Sequence, residues 1–158
     1  MGKEREAPER ESRPRTSDSG PRDPWLKLQR LLSLVPFGSL WWVKEQLWTE
    51  RIPGYTPGRD RNEHPGLAIQ RDLGFSALEP AVPMLHGTSQ RHRRDFFLEG
   101  LSSDTSKTAY FGHLRPARFG LSEFERGEAI RPNRFKPCLN REEMRRLDDF
   151  LDNTGIMK

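Results

Sequence analysis

The sequence predicts a mainly β domain with helices. The expected core is a small, strongly bent barrel of five or six short strands, closed by a C-terminal helix and preceded by an added N-terminal helix. Three observations predict it. The apolar runs in the middle of the chain, Leu67-Ala68-Ile69 and Val82-Pro83-Met84-Leu85, are short and bounded by Gly and Pro. Runs of that kind mark buried strands rather than helices. The best helix signals stand at the end, where Asn140 caps and Glu143 completes a capping box. Residues 1–24 hold no Val, Ile, Leu, Phe, Trp or Tyr, so they have too little to bury to offset their ordering entropy. The expected division is a disordered tail over 1–22, a helix over 23–35, and the barrel with its terminal helix over 36–152.

Taken in order, Asp23 is a capping residue and Pro24 suits the first helical position. Trp25, Leu28, Leu31, Leu32 and Val35 then recur at helical spacing, until Pro36 and Gly38 stop the helix. Leu40-Trp41-Trp42-Val43 reads as a strand rich in aromatic and β-branched residues, extended by Leu47 and Trp48. A polar loop follows over about 50–63, long enough to be functional or disordered. The strands of Leu67 to Gln70 and Ala81 to Leu85 come next, joined by a turn through Gly74 to Pro80. Asp95 to Leu98 and Thr108 to Leu114 read as further strands, Arg115 to Arg118 as a surface turn, and Ala129-Ile130 as a last short strand. Met144, Leu147, Phe150 and Leu151 form the buried stripe of the final helix, and Gly155 ends it.

Charge and composition narrow the classes. The tail's charges cancel, so the net +4 of the 158 residues belongs to residues 25–158. That excess permits a nucleic-acid partner without demanding one. A single cysteine, Cys138, rules out an intrachain disulfide or a cysteine-rich zinc site. No apolar run approaches the roughly 18 residues of a membrane span. The first residues carry neither a secretory h-region nor a myristoylation signal. A cytoplasmic protein with no membrane partner is the expectation.

The chemistry concentrates at the ends of two strands. One is entered from His64; the other exits into His86, Thr88 and Ser89, and then Arg91-His92-Arg93-Arg94. Paired, they present one basic surface bearing imidazoles and hydroxyls, a chemistry suited to phosphate. The bland readings stand beside it. His64 is a residue held extended by the following proline. Thr88-Ser89 is a turn with side-chain-to-backbone bonds. The arginine run is a solvated loop, and His113 is a residue of a strand face. Trp41, Trp42 and Trp48 could stack on bases, though at strand spacing they suit a core. The four histidines lack a paired-helix ligand motif.

The order of these motifs resembles the MazF/PemK/Kid toxin family over about residues 36–152. Gly38-Ser39-Leu40-Trp41-Trp42-Val43, a long polar loop, the x-Pro strand from His64 to Gln70, the Thr-Ser strand end at Val82 to Ser89, and a capped final helix carry the resemblance. It implies an SH3-like barrel, a homodimer, and a toxin held by an acidic antitoxin protein. The implied activity is an endoribonuclease that cuts single-stranded RNA without metal or other cofactor. The x-Pro motif of the family carries an arginine where this chain has His64. The family's Gly-x-Glu motif is matched only loosely by Gly58-Arg59-Asp60.

Metal-free RNA cleavage needs a base for the 2′-OH, a cation for the phosphorane, and an acid for the leaving 5′-oxygen. Histidine suits the first and third roles and arginine the second. His64, Thr88 and Arg61 are therefore the expected catalytic residues. Arg59, His86, Ser89, Arg91, Arg93 and Arg94 are the expected RNA contacts. The alternative is a catalytically inactive barrel that binds nucleic acid or protein.

Overall fold

The structure, a computed structural model, describes residues 23–56, 62–70, 74–75, 79–92, 95–104 and 106–156. The expected tail over 1–22 lies outside them, as do Arg59, Arg61, Arg93 and Arg94. The element order is α1 (Pro24–Leu34), β1 (Leu40–Lys44), α2 (Glu45–Arg51), β2 (Glu63–Ala68), β3 (Gly74–Phe75) and β4 (Pro80–Thr88). It continues with β5 (Phe96–Glu99), β6 (Thr108–Phe111), β7 (Ala117–Gly120), α3 (Leu121–Arg126), β8 (Ile130–Pro132) and α4 (Arg141–Thr154). The fold is mainly β with helices. No helix among the described residues is long and apolar enough to cross a membrane.

All strand pairings are antiparallel, along the path β5-β6-β4-β2-β1-β8, with β3 and β7 added to β4. The long strand β4 organises the sheet. One of its edges takes β3 and β2, and the other takes β7 and then β6. Among the described residues no pairing joins β5 to β8.

Both faces of the sheet are covered, which is why β2 and β4 are apolar without alternation. Leu67 and Leu85, directly paired, join Leu40, Phe111 and the α4 residues Leu147 and Leu151 in one core. Ala68 and Met84, the next pair, join Trp41, Val43 and Phe119 with Leu31 of α1, Trp48 of α2 and Phe124 of α3 in the other. The α4 end is set by Asn140, whose side chain accepts from the Glu143 amide while Glu143 accepts from the Asn140 amide.

Two segments depart from the sequence expectation. Leu47 and Trp48 do not extend β1. The segment Glu-Gln-Leu-Trp-Thr-Glu-Arg forms α2, whose residues are mostly good helix formers, and the helix turns Trp48 inward to full burial. Residues 115–118 are not simply a surface turn. Ala117 and Arg118 open β7, where Ala117 and Phe119 are buried against β4 and Arg118 faces out. The alternation is present in the sequence, but Pro116 masks it. The short strand β3 and the helix α3 carry no sequence signal of comparable strength.

Two glycines fix how closely the central strands approach. A Cβ on Gly66 would lie 2.9 Å from Met84 Cε and 3.2 Å from Val43 Cγ2. A Cβ on Gly87 would lie 2.5 Å from Phe111 Cε2 and 2.7 Å from Pro65 Cγ. The His-Pro-Gly and His-Gly-Thr motifs thus owe their glycines to packing.

Candidate active site

The register of β2 and β4 brings the two motifs together. Gly66 pairs with His86, and carried two residues further the same register sets His64 level with Thr88. Ile69 N–H donates to Pro83, so the odd positions of β2 point their amides at β4. Pro65 is the next odd position beyond Leu67 and has no N–H to continue the ladder. The β2–β4 pairing spans Gly66 to Ala68 and stops there. Where it stops lies a cavity of about 90 Å³, with His64, Pro65, Thr88, Ser89, Lys107 and Thr108 among its walls. That is the space of roughly three waters at ~30 Å³ each.

Behind the cavity runs a hydrogen-bonded series. His64 Nε2 is 2.9 Å from Glu45 Oε2, Tyr55 hydroxyl bonds Glu45 Oε1, and Tyr55 oxygen is 3.0 Å from His86 Nε2. An ionised carboxylate only accepts. So the His64 Nε2–H and the Tyr55 O–H both donate to Glu45, and the His86 Nε2–H donates to the phenol oxygen. This order fixes the tautomers. The lone pair of neutral His64 then sits on Nδ1, the atom free to take a proton. His86 Nδ1 is buried without a partner.

Each member comes from a different element: Glu45 opens α2, Tyr55 follows it, His64 lies in β2 and His86 in β4. Arg51 of α2 holds Glu123 of α3 through both terminal guanidinium nitrogens, fixing the helix that carries Glu45. The indole of Trp48 meets the His86 ring edge-on at 4.8 Å. The chain's four histidines form one run of ring contacts. His64 to His86 is 4.7 Å, His86 to His113 is 5.4 Å, and His113 stacks on His92 at 4.1 Å.

The electrostatics follow from burial. His86 is pushed down to about 3, first by burial and then by its neighbours His64, His113 and His92, so it is neutral at pH 7. His113 is lowered by burial and by His92, with Asp95 opposing. Burial and the bond to Glu45 raise Tyr55, which keeps its proton.

Glu45, His64 and His86 offer one ligand atom each, all within 4.8 Å of one another. A tetrahedral ion with bonds of about 2.1 Å needs its ligand atoms roughly 3.4 Å apart. The trio would have to contract to hold one.

Of the expected residues, His64, Thr88 and Ser89 share the cavity. His86 is buried behind His64, at 3% exposure. Arg91 is exposed and lines a separate, wider groove with His92. His113 follows the end of β6 rather than lying in it. Trp41 and Trp48 are core residues, and half-buried Trp42 lines the cavity. The sequence reading missed Glu45, Tyr55 and Lys107. Glu45 lay in an expected strand, Tyr55 in a loop and Lys107 between two expected strands, and nothing local marks any of them. Comparison with protein-family models, curated proteins and solved structures finds no match.

Proposed function

We propose that this chain is a metal-independent endoribonuclease that cuts single-stranded RNA, with the cavity taking the scissile phosphate. The observation that carries the reading is the series Tyr55–Glu45–His64, which leads from a half-buried phenol to an imidazole at a cavity that Thr88, Ser89 and Lys107 help to line. His64 Nδ1 takes the proton of the 2′-OH, whose oxygen attacks phosphorus. Glu45 orients the ring and stabilises the imidazolium. Lys107, Thr88 and Ser89 meet the charge that grows on the phosphoryl oxygens. The bond to the 5′-oxygen breaks, that oxygen receives the proton from His64, and a 2′,3′-cyclic phosphate remains.

The reading keeps the SH3-like barrel of the MazF/PemK/Kid resemblance. Its support is the strand order around β4 and the position of the His-Pro and Thr-Ser segments at one cavity. A homodimer restrained by an acidic antitoxin, in a toxin role, belongs to the same proposal. The burial of His64 and His86, at 8% and 3% exposure, favours a second reading, an inactive barrel that binds RNA or protein around a structural polar core.

Product analysis separates the two. Incubation with single-stranded RNA in excess chelator should yield 2′,3′-cyclic phosphate ends, and Glu45→Gln should slow the reaction on the order of 10²-fold. RNA binding with no cleavage would establish the second reading. Cleavage lost to chelator and restored by zinc would place a metal on the Glu45, His64 and His86 trio.

A further inference from the structure

The outward face of the β5–β6 ribbon carries four side chains in register. Phe97 lies opposite Tyr110, and Glu99 opposite Thr108. Their neighbours Phe96 and Leu98 go into the core, leaving Phe97 51% exposed. Arg146 of α4 brings its guanidinium to 5.3 Å from the centre of that ring. An open groove of about 550 Å³ runs over this face and ends at Arg91, His92 and Asp95. Thr108 is a wall of both this groove and the 90 Å³ cavity, so the two are adjoining parts of one surface.

We infer that this groove is a nucleobase subsite, which stacks a guanine beside the phosphate held in the cavity. The inference rests on the reading that the cavity takes an RNA phosphate. An exposed phenylalanine directly across from a tyrosine is a platform on which a base stacks. The volume is that of a small-ligand site, enough for a base and its sugar. The carboxylates select the base. Glu99 stands on the platform itself, and Asp95 closes the groove with Oδ2 accepting from the His92 amide and Oδ1 buried without a partner. Carboxylates accept and do not donate. Guanine sets N1–H and N2–H side by side on one edge, matching the two oxygens of one carboxylate. Uracil offers one N–H between two carbonyl oxygens, which a carboxylate repels. Arg91 and Arg146 supply the cations that offset those carboxylates near the phosphate backbone.

The probe is a fluorescein-labelled hexanucleotide, 2′-O-methylated throughout so that it cannot be cut, either all uridine or uridine with one guanosine. Wild-type protein should bind the guanosine probe at least about fivefold more tightly, the low end for a bidentate base contact. Phe97→Ala should weaken both probes by about fivefold or more, and Phe97→Trp should restore them. Glu99→Gln should erase the guanosine preference and leave uridine binding no weaker. Glu99→Gln should leave the thermal midpoint at the wild-type value, and Phe97→Ala should lower it by only a few degrees, the loss of one cross-strand pair, so that both variants are folded at the assay temperature. Equal binding of the two probes, undiminished binding by Phe97→Ala, or no binding of either probe overturns the inference. If wild type cuts no RNA but the Phe97 and Glu99 effects hold, the subsite stands and the catalytic reading falls. If it cuts RNA and both variants bind and cut like wild type, the catalytic reading stands and the subsite falls.

Discussion

His64 and His86 stand on adjacent antiparallel strands with their ring centres 4.7 Å apart, and their Nε2 atoms are joined through Glu45 and Tyr55. The same series gives the two rings different partners. His86 ends it as a donor to a phenol, buried and neutral. His64 ends it as a donor to a carboxylate, at the edge of the cavity beside Thr88 and Ser89.

Stability should fall in mild acid because of His86. An unfolded histidine titrates near ~6.5, whereas the folded chain holds His86 down at about 3. Between those values the unfolded chain binds a proton that the folded one refuses. The contribution is therefore complete above about pH 6.5 and is lost as pH falls toward 3, by an amount on the order of 3–5 kcal/mol. Urea unfolding at pH 7.5 and pH 5 should show the loss. His86→Gln, which keeps a donor for Tyr55, should flatten it. A wild-type protein equally stable at both values would count against the buried neutral ring.

The two motif glycines should differ in what they tolerate. Gly87→Ala drives a methyl into the rings of Phe111 and Pro65, neither of which can yield easily. The expected cost is about 1–3 kcal/mol in urea unfolding. Gly66→Ala meets first the Cε of Met84, the end of a flexible side chain, and should cost less. The reverse order would show that the strands are spaced by something else.

Tyr55→Phe removes the hydroxyl that both Glu45 and His86 use. His86 Nε2–H is then buried without an acceptor, at a cost of about 1–3 kcal/mol. The same change loosens Glu45, so kcat should fall while KM for RNA holds, because Tyr55 positions Glu45 and touches no substrate. A raised KM with unchanged kcat would place the phenol at the RNA instead.

Lys107 and Thr88 should contribute unequally to catalysis. The ammonium group is a full charge facing a developing dianion, and the hydroxyl is one neutral donor. Lys107→Met should therefore lower kcat/KM more than Thr88→Ala. It should also flatten the salt dependence of RNA affinity by about 0.7 in slope, the effect of leaving one phosphate without its cation. Equal and negligible effects would show that the cavity plays no part in catalysis.

Much of this fold was legible because the signals are local. The Asp23 and Asn140 caps, the short runs flanked by glycine and proline, and the helical stripe of α4 each announce an element within a few residues. The site was half legible for the same reason. His64, Thr88 and Ser89 belong to motifs, so they could be named before their meeting at the β2–β4 ends was known. Glu45, Tyr55 and Lys107 come to the site through the start of a helix, a loop and a turn, and only the register of distant strands decides where those lead. The segment Leu47-Trp48 misled because its apolar pair suits either a strand or a helix, and its tertiary packing against His86 and Phe119 settles the choice.

The central claim, that His64 carries a proton in metal-free RNA cleavage, is tested most directly by single-turnover cleavage of single-stranded RNA in excess chelator. Wild type, His64→Ala and His64→Arg are compared. Wild type should give cyclic-phosphate product, and His64→Ala should lose rate on the order of 10²-fold or more. His64→Arg should be impaired to a similar degree, since a guanidinium does not give up its proton in this range. Activity that survives or rises in His64→Arg, or wild-type protein that binds RNA and never cuts it, would contradict the claim.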